Sequence, residues 1–479
     1  MKKESKKPDR NKSMYVIMSF FVLLFLSMIG YLCNFVNNHE QEMWNNSYNK
    51  RQEILASQNY RGSILAAGGE ELAVTKVSGD EEIRTYPYAE KFSHVVGFCT
   101  QGKTGIESQA NFYLIQSNIP LNEKVQNDIA GIKNPGDNVY TTLHVPVQEA
   151  AYKALDNYKG AVIVTEVKTG KIIAMVSKPD YDPNQITEIW QDLVEDKYST
   201  VLLNRAAQGL YPPGSTFKII TALAYIKQYP DTYTSYRYQC NGYYKKGDNR
   251  INCYHGTNHG SLDFTKSFAK SCNSSFANIG MQLDKSKFSD TLDTLLFNDK
   301  LPVSFLYSES KVEMNEELSD EAMIQTSIGQ WKTQITPLHL NMITASIANG
   351  GIMMKPYLID RVENAHGTVI KQFSPSSNGR VMSNEEAEIL TELMVNVVEN
   401  GTATKLSGLN YTAAGKTGSA EYNNVKGDSH AWFTGFAPAE DPEICVTIIV
   451  EGAGSGGDYA VPMAKRIFNA WFEEQDSQN

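Results

Sequence analysis

Three patterns of apolar and polar positions alternate along the chain, and each predicts a different kind of element. Across residues 14–36 almost every position is apolar and none is charged, which is long enough for a helix to cross a bilayer. Apolar residues then recur every three or four positions over 146–158, 215–227, 337–349, 385–399 and 461–472, the period of an amphipathic helix. Helices are also predicted within 263–283 and over 323–329. Shorter apolar or alternating runs at 61–65, 71–75, 138–143, 161–167, 171–176, 413–422, 430–437 and 444–451 predict strands. Lys168-Thr169-Gly170 reads as the turn of a hairpin between two of them. Strands early and late, with helices between, describe an α+β fold: an antiparallel sheet with helices packed around it.

Asn134-Pro135-Gly136-Asp137 is a turn and the expected domain boundary. The organisation read from the pattern is therefore a tail (1–13), a transmembrane helix (14–36), a small α+β juxtamembrane module (37–135) and a larger domain (136–479). Lys2, Lys3, Lys6, Lys7, Arg10 and Lys12 precede the apolar run, against only Glu4 and Asp9. By the positive-inside rule the tail stays in the cytoplasm and the rest lies outside. A cleaved signal peptide needs a shorter apolar core and a small-x-small site, which Asn34-Phe35-Val36-Asn37-Asn38 does not offer. The net charge of −10 argues against a nucleic-acid partner, and six cysteines in 479 residues do not make a disulfide scaffold.

The candidate chemistry begins at Tyr211-Pro212-Pro213-Gly214-Ser215-Thr216-Phe217-Lys218. A rigid turn leads into an apolar helix, expected to start at or near Ser215. Lys218 then lies one turn above Ser215 on the same face. A serine hydroxyl is a weak nucleophile until a neighbouring base takes its proton, and a neutral lysine amine can do so. Ser-x-x-Lys also occurs at Ser47, Ser267 and Ser308, but only Ser215 has the turn before it and the apolar helix after it. A serine acyl-transfer site of this kind needs a Ser-x-Asn and a Lys-Thr-Gly as well. Each has decoys: Ser-x-Asn at Ser47, Ser57, Ser376 and Ser477, and Lys-Thr-Gly at Lys103 and Lys168. Ser271/Asn273 and Lys416/Thr417/Gly418, the latter followed by Ser419, have the right order and context.

On these residues the chain resembles a class B penicillin-binding protein, a membrane-anchored D,D-transpeptidase of peptidoglycan synthesis. The resemblance extends to Leu203-Asn204-Arg205, Gly329-Gln330, Thr336-Pro337, Gly401-Thr402-Ala403 and His430-Ala431-Trp432-Phe433. It is looser at Arg61-Gly62-Ser63-Ile64, where the usual Asp-Arg-Asn-Gly that follows is replaced by Ala66-Ala67-Gly68-Gly69. The resemblance implies Ser215 as nucleophile, Lys218 as base, Ser271 as proton relay, and Asn273 holding the donor peptide or Lys218. Lys416 and Thr417 would bind a terminal carboxylate, with the N–H groups of Ser215 and Ser419 as oxyanion donors. It implies stem peptides as substrate, β-lactams as covalent inhibitors, a polytopic glycan polymerase as partner, and no metal or cofactor in the chemistry. Three rival functions share some of these features: a membrane-anchored serine β-lactamase, a β-lactam sensor, and a non-catalytic scaffold. No deacylating glutamate motif supports the first, and the short cytoplasmic segment argues against the second. Intact motifs argue against the third.

Cys240, Cys253, His259 and Cys272 fall in one stretch. They allow a Cys240–Cys253 disulfide, buried free thiols, or a zinc site of the kind implied by some elongation-type relatives. Cys33, Cys99 and Cys445 read as packing residues. Trp432 and Phe433 read as sheet packing ahead of an acceptor groove, and His430 as structural. The run from Gly452 to Gly457 reads as a turn, since no Gly-Lys-Ser/Thr closes it into a phosphate loop.

Overall fold

The computed structural model describes residues 10–44, 50–79, 81–421 and 429–478. Contacts divide the chain into two units, residues 1–58 and 59–479. In the first, helix α1 (Arg10–Trp44) carries a 26-residue stretch, Asn11–Val36, of mean hydropathy 2.4 with none of it buried. It is the one helix among the described residues long and apolar enough to span a membrane.

The second unit holds two main sheets. The first begins with β1 (Ile64–Leu65), β2 (Glu71–Ser78) and β3 (Glu81–Thr85), and continues with β4 (Asn138–Thr141). Beneath it, Glu107 is fully buried between Arg61 and Arg84, at 2.5 and 2.8 Å. Burial opposes its charge, but the two guanidinium groups hold its carboxyl below the usual range. The turn at 134–137 does not separate two sheets. Val139 of β4 pairs in parallel with Ile64 and antiparallel with Val362, more than two hundred residues further along. Residues from both sides of the expected boundary therefore share one sheet within one compact unit.

The second sheet is the frame of the site. After α2 (Val145–Leu155) come β5 (Gly160–Glu166) and β6 (Ile172–Lys178), joined through the Lys168-Thr169-Gly170 turn, where Gly170 has φ +78°. Then follow α3 (Lys218–Gln228), α4 (Asn273–Gly280), α5 (Pro337–Ala348), β7 (Ile359–Glu363), β8 (Val369–Gln372) and α6 (Asn384–Asn400). The chain closes with β9 (Ala414–Glu421), β10 (Ser429–Ala437), β11 (Ile444–Val450) and α7 (Ala460–Gln478). The first sheet is completed by β7 and β8, and the second has the order β9-β10-β11-β5-β6, antiparallel throughout. Every residue of β10 and β11 is buried, so both faces are covered. Helices α2 and α7 pack on each other and on the sheet. Helix α5 reaches it through a buried polar seam. Asn341 accepts from Thr165 at 2.7 Å and donates to Thr447, and Thr344 bonds Thr434 at 2.7 Å. Such a fully satisfied seam fixes the helix along the sheet where apolar packing alone would let it slide. Strand β9 is one edge of this sheet, with no further strand paired to it among the described residues.

Candidate active site

The nucleophile turn is held from several sides. Tyr211 exchanges backbone hydrogen bonds with Ile335, and the Gly214 N–H donates to Gly329 O at 2.9 Å. The Trp432 indole donates to Pro212 O at 3.1 Å. Gly329 has φ +75°, and a Cβ there would stand 2.1 Å from Gly214 O, so only glycine lets these segments touch. Residues Gly214–Phe217 form a 3₁₀ turn and the α-helix proper starts at Lys218. The pattern of apolar residues could not distinguish the two, because both place i and i+3 together. The tighter winding eclipses Ser215 and Lys218 more fully than an α-turn would, and Lys218 Nζ lies 3.1 Å from Ser215 Oγ.

The second segment contributes a strained turn. Ser271 follows the short helix Phe264–Ala269 with φ +53°, a conformation uncommon for a residue with a Cβ. Its N–H bonds back to Phe268 O, and that of Cys272 to Ser267 O. This geometry turns the Ser271 carbonyl toward Lys218, whose Nζ is 2.6 Å from it. Cys272 caps α4 through its sulfur, which makes Asn273 the first helical residue. The Asn273 Oδ1 lies 2.7 Å from Lys218 Nζ, while its amide donates to Asn252 O at 3.1 Å.

The third segment is β9. Lys416 donates to Ser271 Oγ at 2.8 Å and to Thr417 O at 3.0 Å. The Thr417 hydroxyl bonds that of Thr402. A Cβ on Gly214 would meet Ser419 O and Ala420 at about 3 Å, so the nucleophile turn abuts the strand at Ser419. Ser215, Lys218, Ser271, Asn273 and Lys416 thus form one hydrogen-bonded cluster, with Thr417, Gly418 and Ser419 beside it on the edge strand.

Both lysines are completely buried. Burial draws Lys218 down to about 8, and it draws Lys416 well below its ordinary value, with repulsion from Lys218 adding to the effect. Lys218 Nζ lies within hydrogen-bonding reach of Ser271 O, Asn273 Oδ1, Ser215 Oγ and, at 3.3 Å, Ser271 Oγ. In its neutral form the amine can give its two protons to Ser271 O and Asn273 Oδ1, the two shortest contacts, and take the Ser215 proton on its lone pair.

Next to this cluster Cys240, Cys253, His259 and Cys272 place their ligand atoms within 4.8 Å of one another. No disulfide joins them. All the cysteines are free, and Cys240–Cys253 and Cys253–Cys272 are each separated by 3.7 Å between sulfurs, with His259 Nδ1 3.4 Å from Cys240. Tetrahedral zinc with bonds of about 2.3 Å to sulfur sets sulfurs about 3.8 Å apart, so this set fits zinc. Ser274 Oγ reaches all three sulfurs at 3.1–3.3 Å, as an outer shell would. Hydrogen bonding from Cys272 draws the Cys253 thiol down, and the same contact pushes the Cys272 thiol up, so the two sulfurs share a proton.

Trp432 and Phe433 are fully buried in β10. His430 is buried and accepts from the Gly452 N–H at 3.1 Å. Two contributors carry no sequence signal of their role. Thr402 is part of a motif without an assigned role, and Asn252 has no local signature and is brought in only by tertiary structure.

A family model for the penicillin binding protein transpeptidase domain matches residues 160–470, and one for the penicillin binding protein A dimerisation domain matches residues 61–139. The chain is 32% identical to peptidoglycan D,D-transpeptidase PbpA of Mycolicibacterium smegmatis, over 89% of this chain and 92% of that protein. It is 27% identical to peptidoglycan D,D-transpeptidase MrdA of Acinetobacter baumannii, over 81% of this chain and 66% of that protein. The ceftriaxone acyl-enzyme complex of penicillin-binding protein A from M. tuberculosis superposes with a TM-score of 0.79 at 29% identity, covering 88% of this chain and 99% of that one. With matches of this extent, on top of a single cluster built from all three motifs, the chain belongs to the penicillin-binding protein transpeptidase family.

Proposed function

We propose that this protein is a peptidoglycan D,D-transpeptidase that works through an acyl-enzyme on Ser215 and is trapped there by β-lactams. The observation that carries this reading is the position of the buried Lys218 amine, 3.1 Å from the Ser215 hydroxyl and held by Ser271 O and Asn273 Oδ1 at 2.6 and 2.7 Å. Ser215 Oγ attacks the carbonyl of the penultimate D-Ala of a stem peptide, and its proton passes to Lys218. The N–H groups of Ser215 and Ser419 stabilise the oxyanion. The tetrahedral intermediate collapses, the peptide C–N bond breaks, and the terminal D-Ala leaves with a proton relayed through Ser271. An amine from a second stem peptide then attacks the ester, forms the crosslink and releases Ser215.

The two lysines divide the labour. Burial leaves room for about one positive charge between them. A substrate carboxylate beside Lys416 and Thr417 favours the charged form of Lys416, which in turn favours the neutral amine at Lys218. Binding thus switches on the base. Residues 14–36 anchor the chain with its N-terminus in the cytoplasm. Residues 37–135 act as a pedestal that meets a polytopic glycan polymerase, and 136–479 carry the reaction outside. Fluorescent-penicillin labelling of wild type and Ser215→Ala tests the reading: stoichiometric labelling of the first and none of the second is expected. Rapid turnover of a chromogenic cephalosporin would favour a β-lactamase instead.

A second reading concerns the thiol cluster. We infer that Cys240, Cys253, His259 and Cys272 hold one zinc ion, which supplies rigidity and no chemistry. Cys272 is the middle residue of Ser271-Cys272-Asn273, so a metal bond at its sulfur would hold the strained turn that aims the Ser271 carbonyl at Lys218. Metal analysis of the purified protein should find one zinc per chain.

A further inference from the structure

A partly buried ionic cluster stands at the far end of the nucleophile turn, outside the three motifs. Arg205 is almost wholly buried, and its Nε donates to Glu451 Oε1 at 2.7 Å. Its other nitrogens are taken by Thr200, through the carbonyl at 2.9 Å and the hydroxyl at 2.5 Å. The same Glu451 oxygen accepts from the Tyr211 hydroxyl at 2.8 Å. Glu451 follows directly on β11, and its N–H bonds Lys159 O at 2.8 Å, so its backbone is fixed to the central sheet. Tyr211 is also clamped at its ring, edge-on to His430 and Trp432. Four residues beyond Tyr211 stands Ser215, with two prolines between that leave the backbone little freedom.

We propose that Glu451 is a positioning residue for the nucleophile, acting through Tyr211 with Arg205 as its charge partner. The carboxylate ties the start of the Pro212-Pro213-Gly214-Ser215 turn to the end of β11, while Trp432 and Gly329 hold its middle. Without the tie, the start of the turn keeps only the backbone bonds between Tyr211 and Ile335 and the ring contacts, and the added freedom lets Ser215 Oγ drift from Lys218 Nζ. A charged acceptor suits this task because a hydrogen bond to it is shorter and stronger than one to a neutral group. Arg205 and Glu451 are required together, because the guanidinium is only 3% exposed and would be left without its charge partner, whereas the carboxylate is 24% exposed. None of the three side chains hydrogen-bonds Ser215, Lys218, Ser271 or Lys416, so they affect catalysis by placement alone.

The proposal rests on the acyl-enzyme reading, and its test separates the two. Acylation by a β-lactam is followed by stopped flow in the full chain, giving the acylation rate constant k2 and the dissociation constant Ks separately. Tyr211→Phe should lower k2 about tenfold with Ks within twofold, the loss of one charge-assisted hydrogen bond expressed only in placement. Glu451→Gln keeps an acceptor for Tyr211 and should fall between wild type and Tyr211→Phe. The double variant should lose little beyond Tyr211→Phe alone, since both act on one contact. The pH dependence of k2 should stay where it is in wild type, because the base is untouched. Wild-type k2 in Tyr211→Phe would overturn the proposal, as would additive losses in the double variant or a loss in Ks alone. A wild-type protein that is folded and never acylates would overturn the acyl-enzyme reading instead.

Discussion

Replacing Lys416 by methionine should shift the pH profile of acylation, not only weaken binding. Methionine fills much of the same volume without charge. Lys218 Nζ and Lys416 Nζ lie 3.3 and 2.8 Å from the one Ser271 Oγ, and these two legs cap the distance between the nitrogens at about 6 Å. At an effective dielectric constant of about 20, two unit charges that far apart repel by about 3 kcal/mol, or about two pH units. In the bound complex of the wild type, the ligand's carboxylate keeps Lys416 charged and Lys416 keeps Lys218 neutral. Lys416→Met removes the charge that disfavours protonated Lys218 and leaves a carboxylate that favours it. Both effects act in the same direction. A base works when deprotonated, so k2 rises with pH through its pKa. In the variant that rise should move up by about two pH units. Stopped-flow acylation between pH 5 and pH 10 measures it, with melting temperature followed alongside. A profile that stays within a few tenths of a unit of wild type, in folded protein, would show that the two lysines are not electrically coupled.

Further outcomes follow from the same geometry. Asn273→Ala removes one of the two fixed acceptors of Lys218 and should slow acylation by about ten- to a hundredfold, read as k2 in the same assay. In wild type, k2/Ks should rise with pH to a plateau, because in the free protein buried Lys218 is drawn down to about 8 and only its neutral form accepts a proton. A k2/Ks profile flat from pH 6 to pH 10 would count against Lys218 as the base. Gly329→Ala places a Cβ against Gly214 O in left-handed backbone, and should lower stability by about 1–3 kcal/mol and acylation with it, measured by thermal melting and penicillin labelling. Cys253→Ala should release zinc and lower the melting temperature, as should a strong chelator. A chelated protein that melts as before, having demonstrably lost its zinc, would argue against a structural metal.

Much of the fold and site was legible because it is written in local pattern. The helices at α5 and α6, the central strands and the membrane-length run follow apolar periodicity, and the three motifs stand out by their order and flanks. What stayed hidden is tertiary. The pairing of Val139 with Ile64 and Val362 joins residues on both sides of a turn that reads as a boundary, because register across a sheet leaves no trace in a short window. The left-handed Ser271 is unreadable because the sequence shows neither strain nor what compensates for it. Glu451 sits at the end of an apolar strand, where a carboxylate reads as an ordinary solvated terminus until Arg205 and Tyr211 are folded against it. The cysteines were legible as a group but not as a state, since spacing alone does not distinguish a bonded pair from four converging ligands.

Mass spectrometry of the penicillin-treated protein, digested and mapped, tests the central claim most directly. The account predicts a single penicilloyl adduct on the peptide that contains Ser215, at one per chain, and its loss in Ser215→Ala. Folded protein whose Ser215 peptide stays unmodified, or whose adduct lies on another residue, would contradict it.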